Sequence, residues 1–221
     1  STQGVSSAAS DVYKRQLYYS PGACAIASHI GLEEAGADYV IEKIDLRAGQ
    51  QRTPEYLAIN PAGVTPALQT PKGVLTQNGA ILAYVAQTHP HAQLADLDDP
   101  FEFARMQAFN GWLASSLHPA IGKALFSKPP LEGEVRDEAV RIALEKYDLA
   151  ENHLLSGPWV MGEDHSMADG YLLVFTRWAR QAGLLDKARF PKLNAHLDLV
   201  QSRPAVQLSL IHISEPTRLR R

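Results

Sequence analysis

The chain contains a single cysteine, Cys24, in 221 residues. One thiol excludes an intramolecular disulfide framework and fits a reducing compartment, so the cytoplasm is the expected location. Long apolar runs are missing, which excludes a membrane-spanning helix, and the N-terminus lacks the basic, apolar and small-residue order of a secretory signal. Cationic excess is missing too. A formal net charge of -3 with 20% charged residues argues against nucleic acid or an anionic membrane as partner. No G-x-G-x-x-G, P-loop or G-x-S-x-G is present, and the histidines show no metal-ligand spacing. Nucleotide-binding, serine-hydrolase and metal-centre readings therefore have no support, and no metal is expected.

What is present is apolar content of 45%, enough for one large domain or two small ones. Residues 1–16 and 208–221 read as extensions foreign to the fold, of the kind that adapter read-through produces, and a disordered leader is expected over 1–16. Both are net basic, so the segment between them is more acidic than the whole chain. From residue 17 short β-branched or aromatic runs alternate with helical stretches. Strands are expected at 17–19, 39–46, 65–69 and 74–75, helices at 25–35 and around Ile81, Leu82 and Val85, and a helical turn at 54–57. The order β-α-β-α-β-β-α describes a small α/β domain over 17–92, with its first two strands parallel. Strand patterns then cease. Residues at helical spacing (Phe103, Met106, Asn110, Leu113 and Leu117; Val135, Ala139, Ile142 and Leu149; Ala168, Leu172, Phe175 and Ala179; Leu193, Leu197 and Val200) predict an all-helical domain over 100–207.

Three segments carry candidate chemistry. The run Tyr18-Tyr19-Ser20-Pro21-Gly22-Ala23-Cys24 delivers the thiol to a helix start, where unpaired N–H groups and the helix dipole favour a thiolate. A buried cysteine acting as a small apolar side chain is the alternative. In Asn60-Pro61-Ala62-Gly63-Val64-Thr65-Pro66 a proline stands at the mouth of a strand, so the Thr65 backbone can pair with a peptide-like ligand; taken alone, the feature is better explained by an edge proline that merely blocks aggregation. Gln77-Asn78 lies at a strand-to-helix junction suited to a carboxylate. All three fall at one end of the sheet. Ser166-Met167-Ala168-Asp169 has capping-box spacing and reads as folding information.

Together with Leu75-Thr76, Ala80-Ile81 and Leu117-His118, these segments closely resemble the bacterial beta-class cytosolic glutathione transferases over residues 17–207. The resemblance implies a thioredoxin-like N-terminal domain followed by an all-helical C-terminal bundle, a homodimer, and glutathione as co-substrate. It also implies roles. Cys24 faces the glutathione sulfur, the Thr65 backbone pairs antiparallel with the cysteinyl part, and Pro66 is the family's cis-proline. Gln77 and Asn78 hold the γ-glutamyl end, and His118, with Ser115 one turn before it, faces the sulfur from the helical domain.

The implied activity is conjugation of the glutathione thiol to small hydrophobic electrophiles in detoxification, with Trp112, Phe109 and Phe126 as an apolar wall. The alternatives are a monothiol disulfide oxidoreductase working through Cys24 and a non-enzymatic interaction module of the stringent starvation type. Three positions depart from the family pattern. Gln77 stands where glutamate is frequent. The loop Ala48-Gly49-Gln50 lacks a common lysine, leaving Arg47 or Arg52 for the glycyl carboxylate, and Gly111 replaces an asparagine, with Asn110 beside it.

Overall fold

The structure, a computed structural model, describes residues 15–214, with side-chain surroundings through His212. The described residues divide into two units, one comprising residues up to Ala92 together with those from Leu208 onward, the other Gln93–Gln207.

The first unit runs β1 (Arg15–Tyr19), α1 (Ile26–Glu34), β2 (Tyr39–Lys43), α2 (Pro54–Ile59), β3 (Ala67–Thr70), β4 (Gly73–Thr76) and α3 (Asn78–Thr88), the order expected from the periodicity. The sheet order is β2-β1-β3-β4. β1 pairs with β2 in parallel, while β3 is antiparallel to both β1 and β4. Leu17 and Leu68 from the sheet, Ile30 and Leu32 from α1, and Ile81, Leu82 and Val85 from α3 form a core that excludes solvent. Removing such side chains from water is the main stabilising contribution, roughly 1.5–3 kcal/mol each. Behind it Tyr18, Ile44, Tyr56 and Ala67 form a smaller cluster, with the Tyr18 and Tyr56 rings edge-on.

Local chemistry sets the ends of these elements. α1 closes in a Schellman motif: Ala37 N–H reaches Leu32 O, Gly36 N–H reaches Glu33 O, and Gly36 takes a φ of +60°, which glycine adopts without a Cβ penalty. α2 starts at Pro54, behind Thr53, whose hydroxyl accepts the Tyr56 N–H.

The second unit contains α4 (Pro100–Trp112), α5 (His118–Phe126), α6 (Gly133–Leu149), α7 (Met167–Gln181), α8 (Pro191–Gln201) and the start of α9 (Pro204–Ser214). α4 and α5 are joined by a π-helical turn over Leu113–Leu117, in which His118 N–H bonds to Leu113 O. Pro119 follows at once. Its ring has no N–H and would collide with the carbonyl four residues back, and the wider turn removes that conflict.

The face of α6 differs from the expected one. Val135 is 60% exposed and Leu149 37%, whereas Ala139, Ala143, Tyr147 and Ala150 are buried. Small alanines let the neighbouring helix α5 approach closely, and Tyr147 donates its hydroxyl to Phe175 O at 2.8 Å.

Both expected extensions need new boundaries. Arg15 and Gln16 are ladder residues opposite Tyr39 and Val40, and the rest of the 1–16 leader lies outside the described residues. The 208–221 extension begins inside α9. Ser209 is buried and bonded to His29 Nδ1, because the helix that starts at Pro204 continues through it. Residues 215–221 are outside the described residues.

Candidate active site

Topology brings the candidates of the first unit together. β1 ends where β3 begins, since Tyr18 pairs with Ala67, and β4 ends beside them, since Ala67 pairs with Thr76. The segments after β1, before β3 and after β4 therefore share one end of the sheet, and these carry Cys24, Thr65 with Pro66, and Gln77 with Asn78. The Cys24 Sγ lies 3.8 Å from Thr65 O, with the thiol as donor. The Thr65–Pro66 peptide is cis, and the Thr65 hydroxyl is buried without a partner among the described residues.

Asn78 is spent on architecture. Its Oδ1 accepts the Ser28 hydroxyl at 2.6 Å and its Nδ2 donates to Cys24 O at 3.1 Å, tying the start of α3 to the cysteine turn. Its backbone N–H belongs to the first turn of α3, which has no acidic side chain. Gln77 precedes it with a φ of +70°. A side chain in that region is strained by about 1–3 kcal/mol, and such outliers concentrate where ligands bind.

The thiol does not behave as its position in the sequence suggests. α1 begins at Ile26 with Ala25 as its cap, so Cys24 sits in the turn ahead of the helix. Burial pushes its pKa up to about 11, against smaller lowering contributions from the Asn78 side chain and its own backbone N–H. Desolvation of the charged form is the largest effect, so the shift runs opposite to the ready ionisation that the place of Cys24 in the sequence suggested.

Arg52 closes the loop that leads to Thr65. Its Nη1 donates to Ala62 O at 3.5 Å, while Val64 O accepts the Tyr56 hydroxyl at 2.8 Å and Asn60 Nδ2 at 2.7 Å.

In the second unit, His118 is half-buried, with its ring 5.1 Å from Phe175 and 5.6 Å from Trp178. Burial lowers its pKa, so the imidazole is neutral near pH 7. Ser115 is exposed, and its hydroxyl donates back to Gly111 O at 2.8 Å. Of the expected apolar wall, Phe109 packs on Trp112, and Phe126 stands edge-on to Trp178 at 5.0 Å. Trp178 escaped the sequence reading. Its spacing of three from Phe175 on one helix was the available sign.

His29, Glu33 and His212 bring ligand-type atoms within 4.8 Å of one another, which histidine spacing did not suggest. Both His29 nitrogens already have partners, Ser209 Oγ and Tyr39 Oη, and the Tyr39 hydroxyl also reaches Glu33. No helix among the described residues is long and apolar enough to cross a membrane.

Residues 15–87 match the family model for the glutathione S-transferase N-terminal domain, and 133–199 match the model for the C-terminal domain. A glutathione S-transferase of Xanthomonas campestris, GST-4.5, is 32% identical over 88% of this chain and 97% of its own length. The chain belongs to the glutathione S-transferase family. Among solved structures, a glutathione transferase homologue from Sulfitobacter with bound glutathione has a TM-score of 0.79 at 33% identity, covering 88% of this chain and 96% of that one. A beta-class glutathione S-transferase from Sphingomonas chungbukensis has a TM-score of 0.80 at 33% identity, over 90% and 98%. The glutathione S-transferase architecture of a four-stranded thioredoxin-like sheet and a helical C-terminal domain is thus shared, and the resemblance to the bacterial beta class holds.

Proposed function

We propose that this glutathione S-transferase activates the thiol of glutathione and conjugates it to small hydrophobic electrophiles, working as a cytoplasmic homodimer in detoxification. The observation that carries the reading is the Cys24 thiol 3.8 Å from the Thr65 carbonyl at the end of the sheet, ahead of cis-Pro66. An extended tripeptide pairs with the Thr65 backbone, and this fixes its sulfur. The γ-glutamyl carboxylate meets the first N–H groups of α3 beside Gln77 and Asn78, where helix polarity favours an anion.

Glutathione's thiol has an ordinary pKa near 8.5, and each unit of lowering corresponds to about 1.4 kcal/mol of preference for the thiolate. A Cys24 thiol that stays protonated donates its S–H and does not compete as nucleophile. The glutathione thiolate attacks the electrophilic carbon, the C–S bond forms, and the leaving group departs with the bonding pair.

The same raised pKa weighs against disulfide reduction through Cys24, which needs the cysteine as thiolate. The test compares the chain with its Cys24→Ser variant in aryl-halide conjugation and in mixed-disulfide reduction, and examines by mass spectrometry whether oxidised glutathione forms an adduct at Cys24. Conjugation that survives the substitution supports the transferase. Conjugation lost together with disulfide reduction supports the oxidoreductase, and neither turnover nor glutathione retention supports an interaction module.

A further inference from the structure

We propose that His29, Glu33 and His212 form a binding site for a divalent transition-metal ion of the zinc type, which fastens the end of α9 to α1. Two imidazoles and one carboxylate are a donor set that zinc takes in three-ligand sites, with water in the fourth position. The inference does not depend on the glutathione chemistry proposed above.

His29 and Glu33 stand four apart on α1 and so share one face of that helix, while the third residue arrives on α9. From Leu208 onward α9 belongs to the first unit, so all three residues lie in one unit. Glu33 Oε1 is 4.0 Å from His29 Nε2 and 3.8 Å from His212 Nδ1, and the three ligand atoms all fall within 4.8 Å of one another. Tetrahedral ligands about 2.1 Å from zinc stand roughly 3.4 Å apart, so closing these two pairs on an ion asks for movements of about half an ångström. Glu33 and His212 can make them, being partly exposed at 18% and 22% of their side chains, and the same exposure gives an ion its way in. No other three His, Cys, Asp or Glu among the described residues come together in this way.

A second observation is how His29 is held. Its side chain is sealed from solvent, and Nδ1 is bonded to the buried hydroxyl of Ser209, with Nε2 on the side of Glu33. An imidazole fixed through its far nitrogen is how metal-ligating histidines are oriented. Burial disfavours the imidazolium, so His29 keeps the neutral form that ligates. The Tyr39 hydroxyl stands between Nε2 and Glu33, 2.9 Å from the nitrogen, and gives its proton to the carboxylate. A hydroxyl has one proton, so Nε2 is itself the N–H and Nδ1 accepts from Ser209. The ion takes the place of the Nε2 proton, which passes to Nδ1 and is accepted there by the Ser209 oxygen. The Tyr39 hydroxyl then gives up both partners and competes with the ion for them.

The test titrates the full chain with Zn²⁺ by calorimetry in thiol-free buffer, and with Co²⁺ as a spectroscopic reporter. One ion per chain is expected, with the intense visible absorption of four-coordinate Co²⁺. His212→Ala and Glu33→Gln should each weaken zinc binding about 100-fold or more, and Ser209→Ala about tenfold. Tyr39→Phe should tighten it severalfold. Cys24→Ser and His91→Ala, which remove the thiol and a histidine outside the cluster, should leave it within about twofold. Zinc should also raise the unfolding temperature of the unmodified chain and not that of His212→Ala, a partly exposed position whose truncation leaves no buried gap. Absence of one-to-one binding by the unmodified chain overturns the inference without recourse to any variant. So does an affinity that His212→Ala leaves unchanged, or one lost with Cys24→Ser or His91→Ala instead.

Discussion

The Nε2 of His196 lies 2.8 Å from Oδ1 of Asp169, and both side chains are sealed from solvent. The same carboxylate accepts the Val160 N–H, the Ser166 N–H and the Ser166 hydroxyl, so one acidic group closes the capping box of α7 and ties it to α8 and to the 156–162 loop. A carboxylate can only accept here, which puts the imidazole proton on Nε2 and leaves Nδ1 buried without a partner among the described residues.

Asp169→Ala is expected to destabilise the fold by about 3–5 kcal/mol, because two backbone donors and an imidazole are left unpaired in the interior. His196→Ala should cost about 1–3 kcal/mol, and the double variant less than the sum, a coupling that chemical unfolding of the four proteins measures. Burial alone would raise the Asp169 pKa, but the bond and charge of His196, the charge of His165 and the Val160 N–H together hold it below the ordinary value. A depressed folded-state pKa means the contribution is complete above about 3.9 and drains away as pH falls through the folded value. The stability gap between the chain and Asp169→Asn should then stay level from pH 8 to about 5 and narrow below about 4.

Gln77 holds a φ of +70° that glycine adopts far more readily. Gln77→Gly should stabilise the chain by about 1 kcal/mol in thermal unfolding, relieving strain faster than it adds unfolded-state freedom. The same change removes a side chain from the proposed γ-glutamyl site, and KM for glutathione should rise severalfold. An unchanged KM would show that Gln77 serves only the turn.

The element order of the first unit was legible because strand and helix periodicities alternate cleanly between Leu17 and Val85, and because Gly36, Thr53-Pro54 and Pro71-Lys72-Gly73 punctuate them. The three segments meeting at one sheet end followed from that order alone. The burying face of α6 was legible only at Ala139, since side-chain volume pointed to Val135, Ile142 and Leu149 as well while close helix packing selected Ala143, Tyr147 and Ala150. Nor was the acidity of Cys24. A position near a helix start is visible in a sequence, whereas the solvent removed from a thiol depends on residues 41 and 54 positions away, Thr65 and Asn78. The π turn had a sign in Pro119, but strict 3.6-residue spacing hid it.

Cys24 is the only thiol in the chain, so its titration can be read without ambiguity from alkylation by iodoacetamide. Without glutathione the rate should climb with pH toward a midpoint near 11, and at pH 8 it should be ~200-fold below that of an ordinary thiol. The sign for stability follows: a raised folded-state pKa leaves stability intact below about 8.5 and erodes it as pH rises through the folded value. A midpoint at or below 8.5 would remove the argument that Cys24 acts as a donor and restore it as a nucleophile.

Gly63 packs against the short turn that carries Gln51 and Arg52, in the loop that leads to Thr65. It takes a φ of +61°, and an added Cβ would meet Gln51 O at 2.9 Å as well as the Arg52 guanidinium at 2.7 Å. The guanidinium can swing aside, but the Gln51 carbonyl is backbone in the short 3-10 turn of Gln50–Arg52 and moves only with that turn. Gly63→Ala should therefore destabilise the chain by about 1–3 kcal/mol, combining the left-handed penalty with the collision. By shifting the turn it should also raise KM for glutathione, even though residue 63 offers no side chain to the ligand. Chemical unfolding measures the first change and steady-state kinetics the second, and a KM that stays level would mean that this loop does not meet glutathione.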